Sequence, residues 1–316
     1  MRSTSMILAT ITATAALSVA CGPPAGSGGR GGAPGVGGGP GGSGPGGSGP
    51  GGTGGGTACN GMAPPATQNY AARGPFASRE YDLVGPGGAF TIFRPVTLGE
   101  GGFKHPVATW GNGIITTPQW YPDLLGTIAS HGFVIIASNS STVTAQLLTQ
   151  GLDWLIQQNS AAGEYNGKLA VDCAASIGYS LGGGAAVTAG SHRAVKVVAS
   201  MHGLPGAAAN INGPLLLTTS TSDGFVTKAG YVLPCYNGST RQPTIMATLN
   251  VPGAPADFFG HLIPIGDGGQ ERGPMVAWLR YWIYGDQGAR NYFFGNNCVV
   301  CTNPWIDVQR KNGNWQ

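Results

Sequence analysis

Ala174-Ala175-Ser176-Ile177-Gly178-Tyr179-Ser180-Leu181-Gly182-Gly183-Gly184-Ala185-Ala186 is the stretch on which the reading of this chain turns. Ala174 to Ile177 reads as a short buried strand, and Gly183 to Ala186 as the start of a helix whose small residues can lie against a sheet. Between them, Gly178-Tyr179-Ser180-Leu181-Gly182 matches the pattern G-x-S-x-G. That pattern holds a serine on a strained strand-to-helix turn, with glycines where backbones must approach closely. In a glycine-rich chain the pattern is weak by itself, because a turn that happens to contain serine also satisfies it. The strand before it and the helix after it give it weight.

Outward from this point, short Val- and Ile-rich runs alternate with helical patterns, the signature of a mostly parallel sheet with helices on both faces. Strands are expected at Phe90 to Arg94, Val107 to Trp110, Phe133 to Ser138, Ala174 to Ile177, Val195 to Met201, Leu215 to Thr219 and Thr244 to Leu249. Most are continuous apolar runs, as in strands covered on both sides. Thr144 to Gln158 places Leu148, Leu152 and Leu155 on one helical stripe, and Met275 to Ile283 does the same with Met275, Leu279, Trp282 and Ile283. No internal repeat is evident, so residues 58–316 read as one α/β domain.

A serine elbow in such a sheet demands an acid and then a histidine later in the chain. Of the five histidines only His261 follows Ser180 with an acid between. His192 and His202 come too soon after the elbow; His105 and His131 precede it, and His131 reads as a structural turn residue. Asp223 follows directly on the strand Leu215 to Thr219, where a loop at the carboxyl end of the sheet would carry it to the imidazole. Asp257, four residues before His261, is the competitor and lacks a preceding strand. The expected fold is therefore the α/β-hydrolase fold. A neutral serine hydroxyl is a poor nucleophile, so His261 would take its proton and Asp223 would hold the imidazole in the right tautomer. The oxyanion needs donors already in place. The Leu181 amide is one. The Asn112 amide, in Trp110-Gly111-Asn112-Gly113 after an early strand, is nominated as the other, with Gly113 as the near alternative. Gly111, Asn112, Tyr179 and Leu181 are expected to border the substrate.

The first 57 residues have another character. Arg2, the uncharged run Met6 to Ala20 and Cys21 form a short signal-like segment, and Leu17-Ser18-Val19-Ala20-Cys21 resembles a bacterial lipobox in which Cys21 is acylated. Ordinary secretory cleavage nearby is the alternative. Residues 22–57 are almost wholly Gly, Pro, Ser and Thr, with nothing apolar to bury, and read as a disordered tether of roughly 30 Å reach. An exported protein at the bacterial outer membrane or cell surface is expected, touching the membrane only through the anchor. Net charge is +3 and charged residues make up 9% of the chain without a basic block, which argues against nucleic acid as a partner. A monomer without a cofactor is expected. Cys298-Val-Val-Cys301 lacks a second CxxC or a nearby histidine, so zinc is not expected. In an oxidising compartment Cys59 is expected to pair with Cys298 or Cys301, and Cys173 with Cys235.

Four blocks resemble the bacterial cutinases and poly(ethylene terephthalate) hydrolases. They are Ala129 to Ile136, Ile177 to Gly184, Val276 to Arg280 and Tyr292 to Pro304. The resemblance runs in order from Gly74 to Pro304. It implies Ser180 as nucleophile, Asp223 as acid, His261 as base and the amides of Asn112 and Leu181 as oxyanion donors. The implied substrates are polyesters or cutin-like esters. Short soluble esters, or acetyl and feruloyl groups on plant polysaccharide, are the second reading, and a surface lipoprotein that only binds is the third. The chain departs from the resemblance in three places. Asn112 stands where those enzymes usually have an aromatic residue, and Gly206 near where many have a tryptophan. No cysteine adjoins Asp223 or His261 to supply their disulfide between acid and base loops. Trp110 or Trp120 is a candidate replacement for the aromatic clamp, and Val251 to Gly260, with Phe258 and Phe259, is a candidate cleft wall.

Overall fold

The computed structural model describes Cys59 and residues 67–316. The expected leader with Cys21, residues 1–21, and the tether, residues 22–57, lie outside the described residues.

Among the described residues there are nine strands, β1 (Ser78–Val84), β2 (Phe90–Pro95), β3 (His105–Gly111), β4 (Val134–Ser138), β5 (Leu169–Tyr179), β6 (Val195–Met201), β7 (Leu215–Ser220), β8 (Thr244–Leu249) and β9 (Trp305–Lys311). They form one sheet in the order β1-β2-β4-β3-β5-β6-β7-β8-β9. The run from β4 through β3, β5, β6 and β7 to β8 is parallel. The outer pairings β1/β2, β2/β4 and β8/β9 are antiparallel.

The apolar runs expected as strands are strands because both faces are covered. In β4, Val134 and Ile136 enter one buried cluster while Ile135 and Ala137 enter the other. Helices α1 (Pro122–Ser130) and α6 (Arg272–Leu279) cover one face through Leu124, Leu125, Ile128, Met275 and Leu279. Helices α2 (Ala145–Ser160), α3 (Leu181–Ala189) and α4 (Leu233–Gly238) cover the other through Leu152, Leu155, Val187 and Tyr236. Thr144 caps α2, its hydroxyl accepting from the Leu147 amide at 3.3 Å, one of the donors a helix start leaves open. A further short helix is α5 (Phe258–His261).

Seven strands and two helices fall where the sequence places them, within a few residues except at β5. That strand begins at Leu169, five residues early: Leu169 and Ala170 are buried and pair with His105 and Pro106 of β3, and the exposed Asp172 interrupts the apolar run that the sequence shows. The strands β1 and β9 were not expected. Both sit at the sheet edges and carry charged residues, Arg79, Glu80 and Asp82 in one and Asp307, Arg310 and Lys311 in the other. Such composition suits an edge that must not pair further, and it hides the strand from an apolar-run reading.

The expected cysteine pairing is corrected. Cys298 and Cys301 are bonded to each other, their Cα atoms 4.8 Å apart across one 3₁₀ turn, within the range a disulfide spans. Cys59 therefore does not pair with either, and Cys173 and Cys235 are not joined. Cys59 sits instead beside Cys173 with their thiols in hydrogen-bonding contact, and its amide donates to the Ile283 carbonyl at 2.9 Å.

Candidate active site

Ser180 is the single residue between β5, the middle strand of the sheet, and α3. Its backbone stands at φ 57° and ψ −122°, a conformation that costs a non-glycine residue about 1–3 kcal/mol. The surroundings hold it there. Its amide donates to the Met201 carbonyl at 3.0 Å, and its carbonyl accepts from Gly183 at 3.0 Å, Gly184 at 3.3 Å and Leu204 at 3.0 Å. A Cβ on Gly182 would lie 2.1 Å from the Gly111 carbonyl carbon and oxygen. Only glycine lets the turn after β5 and the end of β3 meet so closely, and this contact brings the Asn112 loop beside Ser180.

The later loops complete a line of hydrogen bonds. His261 Nε2 lies 2.9 Å from Ser180 Oγ, and His261 Nδ1 lies 2.8 Å from Asp223 Oδ2. The other oxygen, Oδ1, accepts from the amides of Phe225 at 3.0 Å and Val226 at 2.8 Å. The competitor Asp257 does different work. Its carboxylate caps α5 by accepting from Phe259 at 2.8 Å and Gly260 at 3.2 Å, which sets the helix that ends at His261. The backbones of Asp223 and Asp257 also pair as an isolated parallel bridge. Backbone pairing thus joins the two loops where the resembled enzymes use a disulfide.

Electrostatics separate the partners. Burial would raise the Asp223 pKa, but hydrogen bonds from His202 and His261 hold it far below the ordinary carboxylate value. Burial lowers the His261 pKa below 6.5, and Asp223 offsets this only in part. The imidazole is therefore neutral near pH 7 and able to accept a proton.

His202, set aside in the sequence as too near the elbow, lies at the end of β6 and reaches the same carboxylate. Its Nδ1 is 2.7 Å from Asp223 Oδ2, and its Nε2 is 2.6 Å from Glu271 Oε1. Thr218 Oγ1 donates to the other Glu271 oxygen. The His202, Asp223 and Glu271 side chains are fully buried. The only signal in the sequence was position: a histidine directly after the strand that neighbours the elbow strand.

Asn112 is fully buried, and its side-chain amide donates to the Thr116 and Ser140 carbonyls. The Gly113 amide donates to Tyr121 Oη at 3.2 Å, so of the two nominated amides it is the one already engaged. The Leu181 amide stands at the first position of α3, where a helix offers no internal acceptor. Of the four residues expected at the substrate, Gly111, Asn112 and Tyr179 are buried and Leu181 is half-buried. Gly111 is packed under the elbow, and Tyr179 is 2% exposed, its ring 5.0 Å from the His261 ring and its hydroxyl donating to the His261 carbonyl at 2.7 Å. Tyr179 braces the histidine from below.

Trp110 is buried against Tyr121, their rings 5.0 Å apart, and is core. At Gly206 a Cβ would meet the Gly184 carbonyl oxygen at 2.4 Å, so no side chain fits. Exposed apolar residues gather elsewhere. Phe225 packs its ring 5.2 Å from His261 and 5.5 Å from Phe258, which in turn lies 6.4 Å from Phe259. These three, with Ile114, Ile115 and Trp120 in the segment after Gly113, are exposed. Nitrogens of His202 and His261 and an oxygen of Asp223 converge within 4.8 Å, as a metal ion would need. Each of these atoms already takes part in a hydrogen bond between carboxylate and imidazole, so an ion here would displace those protons.

A mostly parallel sheet flanked by helices, with a serine elbow after its middle strand and an acid and a histidine on later loops, is the α/β-hydrolase arrangement. The chain belongs to the PET hydrolase-like family, PETase, which it matches over residues 56–310. A comparison with curated proteins gives no significant match.

Proposed function

We propose that the protein is a serine ester hydrolase that cleaves polyesters through an acyl-enzyme. The observation that carries this reading is the unbroken line from Ser180 Oγ through His261 to Asp223 at a strained elbow. His261 Nε2 takes the Ser180 proton as Oγ attacks the ester carbonyl. The oxyanion forms beside the Leu181 and Asn112 amides, donors worth roughly 3 kcal/mol each in comparable sites. The same imidazole returns the proton to the leaving alcohol. Water then repeats the sequence on the acyl-enzyme, and the acid leaves.

The polymeric substrate is supported by exposed apolar residues on the loops that carry the site. Phe225, Phe258 and Phe259 stand on the acid and base loops, and Ile114 and Ile115 on the loop that carries Asn112. Such a patch is costly in water unless it meets an apolar surface. We propose further that the enzyme is exported and held at the cell surface by acylated Cys21, since two or more acyl chains give stable anchoring, and that residues 22–57 give it the reach to meet a solid. A Cys21→Ser protein is then released or misprocessed.

Activity-based labelling with a fluorophosphonate, followed by assays on p-nitrophenyl esters of graded length and on an amorphous polyester film, tests the reading. Labelling at Ser180 with release of soluble products from the film is the expected result. An unlabelled Ser180 would reject catalysis, and turnover of short esters with an untouched film would assign the enzyme to soluble carboxylesters.

A further inference from the structure

The acyl-transfer cycle uses one of the two histidines on Asp223. We propose that His202, clamped as an imidazolium between Asp223 and Glu271, is a positioning residue that fixes the Asp223 carboxylate and sets the basicity of His261. The inference rests on the serine-hydrolase reading above.

The geometry leaves His202 little choice of protonation state. Each ring nitrogen faces a carboxylate oxygen, at 2.7 Å and 2.6 Å. A carboxylate only accepts, so both nitrogens must donate, and only the cationic ring carries two N–H groups. Burial alone would drive the proton off, but the Glu271 charge and the hydrogen bonds to Asp223 and Glu271 raise the pKa to about 9. Asp223 Oδ2 consequently receives two imidazole donors and Oδ1 two backbone amides. A carboxylate with its acceptor sites filled cannot rotate without breaking charge-assisted bonds, so the oxygen facing His261 stays in place through the cycle.

The charges explain why two partners are needed. The described charged groups acting on His261 are Asp223, His202 and Glu271. The His202 and His261 ring centres are 5.8 Å apart. A lone cation so close would oppose protonation of His261 and cancel much of the pull of Asp223. Glu271 opposes that repulsion, and Thr218 holds its second oxygen. With all four side chains in their resting states the cluster carries one net negative charge, and taking up the Ser180 proton neutralises it.

The arrangement predicts how variants behave. His202→Gln removes the cation and leaves two negative charges facing His261. The acid limb of the kcat/KM profile should then move upward by about one pH unit, and kcat should fall about ten-fold to a hundred-fold with KM within two-fold, the scale of loss seen when a supporting hydrogen bond behind a functional group is removed. The double variant His202→Gln/Glu271→Gln has one negative charge again and no buried unpaired carboxylate, so it should keep the fold and bring the acid limb back toward the parent value.

The test combines these profiles on a soluble p-nitrophenyl ester with NMR titration of the histidine Cε1–H signals of the wild-type protein. A signal that stays in its cationic position through pH 8, and is lost in the double variant, is expected. No histidine cationic at pH 8, or an acid limb equal in the parent and both folded variants, would overturn the proposal. The NMR readout needs no turnover, so it fails or succeeds apart from the esterase reading, which the fluorophosphonate label decides.

Discussion

Asp223 and Asp257 lie side by side as partners in a parallel backbone bridge, Asp257 N donating to the Ser222 carbonyl and Gly224 N to the Asp257 carbonyl, each at 3.0 Å. The two acids that compete in the sequence thus stand on adjoining loops, one turned to the histidine and one capping the helix that carries it. A Cβ on Gly260 would lie 1.8 Å from the Ser222 carbonyl oxygen, so the histidine loop sits directly on the acid loop.

This division of labour makes the two acids separable. Ser180→Ala and His261→Ala should each reduce ester hydrolysis by several orders of magnitude, with the double variant little worse, because the residues act as a unit. Asp223→Asn should cost on the order of ten-thousand-fold by misorienting the imidazole. Asp257→Ala removes a helix cap and should cost about 1 kcal/mol of stability with a smaller kinetic loss. Steady-state kinetics and denaturant melts of the five variants check this; a larger rate loss at Asp257 than at Asp223 would reverse the assignment.

Gly182→Ala should be far more harmful than its one added carbon suggests. The new Cβ would fall 2.1 Å from Gly111 backbone atoms, which cannot yield as a flexible side chain can. Overpacking of this kind costs about 1–3 kcal/mol, and any relief moves the Asn112 loop away from the elbow. A lowered melting temperature together with a reduced kcat is expected, and parent-like values for both would refute the contact.

Stability and activity should respond to pH in opposite directions on the two histidines. His202 has a raised pKa, so its proton contributes stability that is fully present below 6.5 and is lost as pH rises through about 9. His261 has a lowered pKa, so the neutral base survives below pH 6.5 and kcat/KM falls only at lower pH. Melting temperatures from pH 6 to pH 10 should decline in the wild type and decline less in His202→Gln/Glu271→Gln. Equal slopes would show that another group carries the alkaline loss.

Phe225→Ala, Phe258→Ala and Phe259→Ala should distinguish surface from solution. Phe259 is 70% exposed and cannot contribute much to the core, so its loss should leave melting temperature and soluble-ester turnover near the parent values. Product release from a polyester film should fall several-fold. Phe225 touches His261, so its variant should also affect soluble turnover. Film activity unchanged in Phe258→Ala and Phe259→Ala would remove the apolar rim from the substrate reading.

Fold class and the order of its parts follow from the residues alone. Continuous apolar runs such as Phe133 to Ser138 can be satisfied only between two covered faces, and Gly178, Ser180 and Gly182 state a turn that few residue types can make. The triad order then left one histidine and two acids. What periodicity cannot carry is distance between remote loops. The strand before Asp223 favours it over Asp257, but only the folded loops show its carboxylate 2.8 Å from His261 Nδ1 while that of Asp257 caps α5. Glu271 lies 69 residues from His202, and no local pattern links a histidine after one strand to an acid at the start of a late helix. Cys298 and Cys301 likewise looked free to reach Cys59 until the 3₁₀ turn brought their Cα atoms within bonding range of each other. Local chemistry decides what each segment can be; packing around the carboxyl ends of β5, β6 and β7 decides which buried charges meet, because a charge leaves water only where partners already stand.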